Sequence, residues 1–180
     1  LEELNRQVSE LAKAESLDAV KEKAFVSAAS GQEKWKLLLV NEMHPLEEDF
    51  KTELTAVPGG QQVDSRIAEP LSEMMEAMRR EGMAPLVCSG YRSIEKQSRL
   101  FQEFIEDKLR DGWSYEKAFY KAKTRIALPG TSEHHTGLAV DIVGKSYQSL
   151  DDGQQETSEA RWLAAHCAEY GFILRYPKGK

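Results

Sequence analysis

One segment constrains the fold more than any other: Thr131-Ser-Glu-His-His-Thr-Gly-Leu-Ala-Val-Asp141. It places an acid inside the apolar run Leu138-Ala-Val-Asp-Ile-Val143, and residues 137–143 read as a strand. A carboxylate in such a run has to be paired, hydrogen-bonded or metal-bound. Upstream stand His134 and His135. Imidazole and carboxylate are ligand types of an open catalytic zinc site, which holds its metal at about 2.0–2.2 Å and keeps a position for water. Were the stretch from 134 to 141 extended, its ends would lie about 23 Å apart at about 3.3 Å per residue, beyond the reach of two side chains. A shared ion therefore requires the chain to double back. Thr136-Gly137 is the place for it, since glycine adopts torsions closed to other residues. The residues alone leave Asp141 as either a metal ligand or half of a structural salt bridge, and adjacency does not choose between the two histidines.

The rest of the sequence sets the frame. A chain of 180 residues with 41% hydrophobic side chains closes one sizeable core, so a single domain is expected. A formal charge of −6 with no cluster of cations argues against a nucleic-acid partner. No apolar run approaches the roughly 18–20 residues of a membrane span, so the chain as given reads as soluble. It opens on Leu1 instead of Met and is read as a trimmed or mature fragment, for which a removed export signal or an upstream membrane anchor stays open. Cys88 and Cys167 lie outside any C-x-x-C pair and read as small apolar core residues.

Along the chain, Leu1, Leu4, Val8 and Leu11 begin an amphipathic stripe that predicts a helical spacer over residues 1–30. Strands are expected over residues 35–40, 86–88, 137–143 and 171–176. The segment Val57-Pro-Gly-Gly60 reads as a break. Helices are expected from Asp64, from Ser93 and from Ser114, each residue serving as a cap, and over 159–170. Ile67, Leu71, Met74, Met75 and Met78 form the inner face of the first of these. Strands and helices interleave without a regular βαβ repeat, so the class is α+β.

Several blocks now carry a family resemblance. The pattern S-x-H-x-x-G-x-A-x-D is filled by Ser132, His134, Gly137, Ala139 and Asp141. With it come Ser89-Gly-Tyr-Arg-Ser93, Gln97, Pro129-Gly-Thr-Ser-Glu-His134 and Gly171-Phe-Ile-Leu-Arg-Tyr-Pro177, in family order. Together they resemble the zinc D-Ala-D-Ala carboxypeptidases of the VanY and VanXY type, within the group that has the hedgehog-like fold. The resemblance implies a small antiparallel central sheet flanked by helices, over about residues 35–180. It implies one zinc ion with His134 and Asp141 as first and second ligands, Arg92 facing the scissile carbonyl, and Gln97 and Ser132 binding the peptide's terminal carboxylate or backbone. His135 then falls behind the ligands or at the rim, and His44 and His166 are structural. Tyr91 and Tyr176 either line the substrate groove or simply pack.

Two further ingredients of the family, a third ligand and a general base, come from a late E-x-W-H block. No E-x-W-H occurs in these residues, and the block is expected beyond Lys180. Taken whole, the resemblance implies a domain over residues 31–180 that removes the last D-alanine from peptidoglycan stem peptides, outside the cytoplasmic membrane. Alternatives are an L,D-carboxypeptidase, a D,D-dipeptidase, or a non-catalytic peptidoglycan-binding module if the block is truly missing.

Overall fold

A computed structural model describes residues 34–47 and 49–176. The chain divides into two units between Leu39 and Val40. Of the first, the described part opens with a short 3-10 turn, Lys34–Leu37. The helix expected over residues 1–30 lies outside the described residues. Residues 35–40 do not form the expected strand: a strand needs a ladder partner to satisfy its backbone groups, and among the described residues this run has none. The turn at residues 41–44 is as expected, with the Asn41 side chain accepting from the amides of Met43 and His44 at 2.9 and 2.8 Å.

The second unit begins its regular structure with a hairpin, β1 (Leu54–Val57) and β2 (Gln61–Asp64), paired from Leu54↔Asp64 to Val57↔Gln61. The break at 57–60 is thus a hairpin turn. Its Gly59 and Gly60 both take positive φ, which glycine alone reaches without strain. Asp64 then caps α1 (Ser65–Arg80), accepting from the Arg66 amide, and the expected face of Ile67, Leu71, Met74, Met75 and Met78 is buried. This helix supplies a central share of the core, with Val63, Val87, Val143 and Trp162 also buried.

A second ladder holds β3 (Pro85–Ser89) antiparallel to β4 (Asp141–Gly144), running from Pro85↔Gly144 to Ser89↔Asp141 with an irregularity between Val87 and Ser89. The expected antiparallel sheet is therefore present as two two-stranded ladders, and residues 137–140 stay outside the strand. Between β3 and β4 come α2 (Ile94–Arg110) and α3 (Tyr115–Lys123), capped by Ser93 and Ser114 as expected. They pack Phe101, Ile105, Ala118 and Ala122 into a cluster of their own. Last comes α4 (Ser158–His166), which tightens into a 3-10 turn, Cys167–Tyr170, and stops at Gly171.

Residues 171–176 were expected as a strand and are irregular. Phe172 is half-buried, but Ile173, Leu174 and Tyr176 are exposed, Ile173 by 83%. No described helix is long and apolar enough to cross a membrane.

Candidate metal centre

The site is built from two chain segments. The first leaves β3 at Ser89 and continues through Gly90, Tyr91 and Arg92. Gly90 is pressed against the hairpin so closely that a methyl group on it would overlap the Gln62 carbonyl, and the next amide, Tyr91, donates to that same oxygen at 2.6 Å. The Gly90 carbonyl is thereby fixed facing inward. The second segment opens at Ser132, 4% exposed, and winds the 3-10 turn Glu133–Thr136. It reverses at Gly137, whose φ of 74° excludes a side chain on conformational grounds. A Cβ there would also stand 2.8 Å from the Asp64 amide, which donates to the Gly137 carbonyl at 2.9 Å. The Thr136 hydroxyl steadies the reversal by accepting from the Leu138 amide at 3.0 Å. The chain then returns to Asp141 at the head of β4.

The doubling back demanded by the sequence is thus realised. His134 Nε2 lies 3.2 Å from Asp141 Oδ2, and Arg92 Nη2 lies 4.0 Å from that same oxygen. His134 Nδ1 stands 2.8 Å from the Gly90 carbonyl. A carbonyl only accepts, so the proton is on Nδ1 and Nε2 turns its remaining position toward the carboxylate. A bare nitrogen lone pair against a carboxylate oxygen is repulsive, so a cation, either a proton or a metal ion, has to mediate between them. Two donor atoms about 2.0–2.2 Å from one tetrahedral zinc stand about 3.3–3.6 Å apart. The observed 3.2 Å is about 0.1 Å short of that range, and the nitrogen-oxygen donor pair suits that ion. Among the described residues no group of three or more His, Cys, Asp or Glu side chains could hold a metal, so this pair is the donor set they provide.

Arg92 is held by its own network. Its Nη2 donates to the Ser89 hydroxyl at 2.7 Å and its Nη1 to Gln97 Oε1 at 2.9 Å. Burial lowers the guanidinium's pKa and the Asp141 carboxylate offsets this only in part; an arginine so placed remains a cation. Gln97 is 1% exposed, and its amide nitrogen donates to the Ala127 carbonyl at 2.7 Å. Both ends of that side chain are thus engaged, one of them by the Arg92 guanidinium. The Ser132 hydroxyl makes no capping bond to the turn it opens.

His135, adjacent to the ligand candidate, is 3% exposed, and burial is the main cause that holds its pKa below the ordinary 6.5. Cys88 reaches the site edge, its thiol donating to the Asp141 carbonyl at 3.4 Å. Burial, then the Asp141 charge, raises its pKa, so it stays a thiol. Glu133 accepts from Arg175 Nε at 2.9 Å, which ties the last described segment to the turn that bears His134. His44 and His166 lie elsewhere, bonded to Asn41 and Glu169 respectively. Sequence reasoning assigned no role to Ser89 or Gly90. The signal was there in Gly90, since a glycine leaving a strand marks close approach of another backbone.

A model of the VanY family, described as D-alanyl-D-alanine carboxypeptidase, matches residues 60–180. The chain belongs to the VanY family. A D-alanyl-D-alanine carboxypeptidase of Enterococcus faecalis is 37% identical over 151 residues, which are 83% of this VanY-family chain and 54% of that protein. The chain therefore spans about half the length of this relative. Among solved structures, VanYB in complex with D-alanine-D-alanine matches with a TM-score of 0.70 at 38% identity, covering 79% of this chain and 76% of that one. A variant of the vancomycin-resistance D,D-pentapeptidase VanY from a VanB-type cassette, in complex with Zn(II), matches with a TM-score of 0.71 at 37% identity, covering 81% and 79%. Both relatives share the α+β architecture described above, so the family's fold is this chain's fold.

Proposed function

We propose that this chain is the core of a zinc-dependent D,D-carboxypeptidase that removes the terminal D-alanine from peptidoglycan stem peptides ending in D-Ala-D-Ala. The observation that carries the proposal is the facing pair His134 Nε2 and Asp141 Oδ2 at 3.2 Å, with Arg92 beside the same carboxylate. The names of the relatives support it: one is a D-alanyl-D-alanine carboxypeptidase, one was solved with D-Ala-D-Ala and one with Zn(II). His134 and Asp141 would hold the zinc ion, one per chain. When bound, such an ion supplies Lewis acidity to a scissile carbonyl and to an attacking water.

The chain's own residues supply the rest. Arg92 presents a fixed cation where negative charge develops on the carbonyl oxygen, and one preorganised donor of this kind is worth about 3–4 kcal/mol of barrier. Ser89 and Gln97 keep it aimed, so Gln97 acts through Arg92. Ser132 offers its hydroxyl to the terminal carboxylate of the peptide. The proposal requires a third ligand and a general base from outside the described residues, which the resemblance places in an E-x-W-H block. On this proposal residues 31–180 belong to the catalytic domain, and its place of action is the cell wall outside the cytoplasmic membrane.

The test uses the full-length protein. Metal content by emission spectroscopy is expected to show one zinc per chain, and D-alanine release is expected from a pentapeptide stem in preference to a tetrapeptide stem or the free dipeptide. Preference for the tetrapeptide would establish L,D specificity instead. A zinc-free protein that releases no D-alanine would leave a binding module and overturn the peptidase reading.

A further inference from the structure

Arg92 is tied through both its backbone and its guanidinium. Its amide donates to the His134 carbonyl at 3.0 Å, its carbonyl faces His135 Nδ1 at 2.6 Å, and its guanidinium is held by Ser89 and Gln97. The two buried side chains in this list, His135 and Gln97, both run on to the same loop. His135 Nε2 accepts from the Gly130 amide at 3.1 Å, and Gln97 Nε2 donates to the Ala127 carbonyl at 2.7 Å. Loop 127–130 is itself anchored, the Leu46 amide donating to the Gly130 carbonyl at 2.8 Å.

The protons on His135 follow from its partners. A carbonyl accepts and an amide N–H donates, so Nδ1 carries the hydrogen and Nε2 is bare. One neutral tautomer satisfies both bonds, and a side chain with one donor and one acceptor at that separation is what the position requires. The two consecutive histidines therefore divide the work: His134 is latched to the Gly90 carbonyl and turns toward Asp141, while His135 is latched to the Arg92 carbonyl and turns toward Gly130. The geometry points to His135 as a positioning residue for Arg92, clamping the arginine's backbone to loop 127–130 while Gln97 clamps its guanidinium to the same loop. This rests on the reading of Arg92 as the group that meets the developing oxyanion. Its consequence is large because a displacement of about 1 Å in a catalytic constellation costs on the order of 100-fold in rate.

The experiment compares His135→Leu, which keeps bulk and loses both bonds, with His135→Gln, which offers one donor and one acceptor. Both are made in the full-length protein and again on an Arg92→Ala background. His135→Leu is expected to lower kcat for D-alanine release by about 10- to 100-fold with KM and zinc content little changed, and His135→Gln to recover most of the loss. On the Arg92→Ala background, His135→Leu is expected to do nothing further. An equal additional loss there would overturn the proposal, because His135 would then act independently of Arg92. Two readouts need no activity. Long-range proton-nitrogen NMR is expected to find His135 protonated on Nδ1, and the Gly130 amide is expected to resist hydrogen exchange in the wild type and lose that protection in His135→Leu. An Nε2-protonated ring, or a Gly130 amide that exchanges freely in the wild type, would overturn the clamp even if His135→Leu failed to fold. A wild type that releases no D-alanine would count against the peptidase reading, while these two readouts would still decide the clamp.

Discussion

A methyl group at residue 90 has nowhere to go, because what it would strike is the Gln62 carbonyl, a backbone atom held in the β1–β2 ladder. Gly90→Ala is therefore expected to cost about 1–3 kcal/mol, as overpacking does, and to weaken zinc binding as well, since the displaced carbonyl is the one that orients His134. Urea titration with and without zinc checks both effects; a variant with unchanged zinc affinity would separate Gly90 from the site. Arg92→Lys keeps the charge but loses the forked donor that Ser89 and Gln97 receive. It is expected to lower kcat about 100-fold or more, with zinc content unchanged, as read by steady-state kinetics. Asp64 gives a pH signature. Burial alone would raise its pKa, but hydrogen bonds from the Arg66 side chain, the Thr52 hydroxyl and the Arg66 amide outweigh it and leave the carboxyl below 3.8. A depressed folded value stabilises the fold fully above the unfolded value and loses that stabilisation as pH falls through the folded one. The Tm advantage of wild type over Asp64→Asn should therefore shrink below about pH 4; an advantage constant from pH 7 to pH 2 in calorimetry would contradict this. At this scale Asp141 was legible from sequence because an acid in an apolar run demands a partner. Which of His134 and His135 faces Asp141 was not legible from the residues alone. It follows from which carbonyl of the segment Gly90-Tyr-Arg92 each ring meets, a fact of tertiary packing.

Helix α1 contains a proline at its sixth position, Pro70, past the first turn where the missing N–H is harmless. An interior proline costs a helix about 3 kcal/mol, offset by about 0.4–1 kcal/mol through its stiffening of the unfolded chain. Pro70→Ala is accordingly expected to stabilise the fold by about 2 kcal/mol, and for a chain of this size to raise Tm by about 4–8 °C. A thermal melt that moves the other way would show that the pyrrolidine ring packs better than its backbone costs. The helices were legible because their signals are local: Asp64, Ser93 and Ser114 each accept from an amide two or three residues on, within their own segment. Strands are not local. Residues 35–40 and 171–176 have the apolar composition of strands and lack ladder partners among the described residues, while β1 and β2, of weaker composition, pair because Pro58-Gly59-Gly60 turns one back on the other.

On the scale of the whole molecule, the site exists because α2 and α3 form a closed cluster of their own, which brings the chain back so that Asp141 pairs beside Ser89 across β3 and β4. The hairpin backs both segments, through Gln62 to Tyr91 and through Asp64 to Gly137. No window of sequence contains that arrangement. The motif order indicated its parts, but the ladder pairing and the glycine contacts depend on segments far apart in the chain. The unfolded chain cannot hold His134 and Asp141 at one ion, so zinc should bind the native state almost alone and stabilise it by mass action. In full-length protein, free zinc at about 100 times its Kd should add about 2.7 kcal/mol, which for a domain near this size raises Tm by about 5–11 °C. His134→Ala and Asp141→Ala should each abolish most of that shift, because each removes half of the described donor pair. Arg92→Ala should keep it or enlarge it, because the guanidinium contributes charge beside the ion and no ligand atom. A zinc-induced rise in Tm that survived loss of both His134 and Asp141 would place the ion elsewhere in the protein, and the facing pair would then be the structural salt bridge that the sequence also allowed.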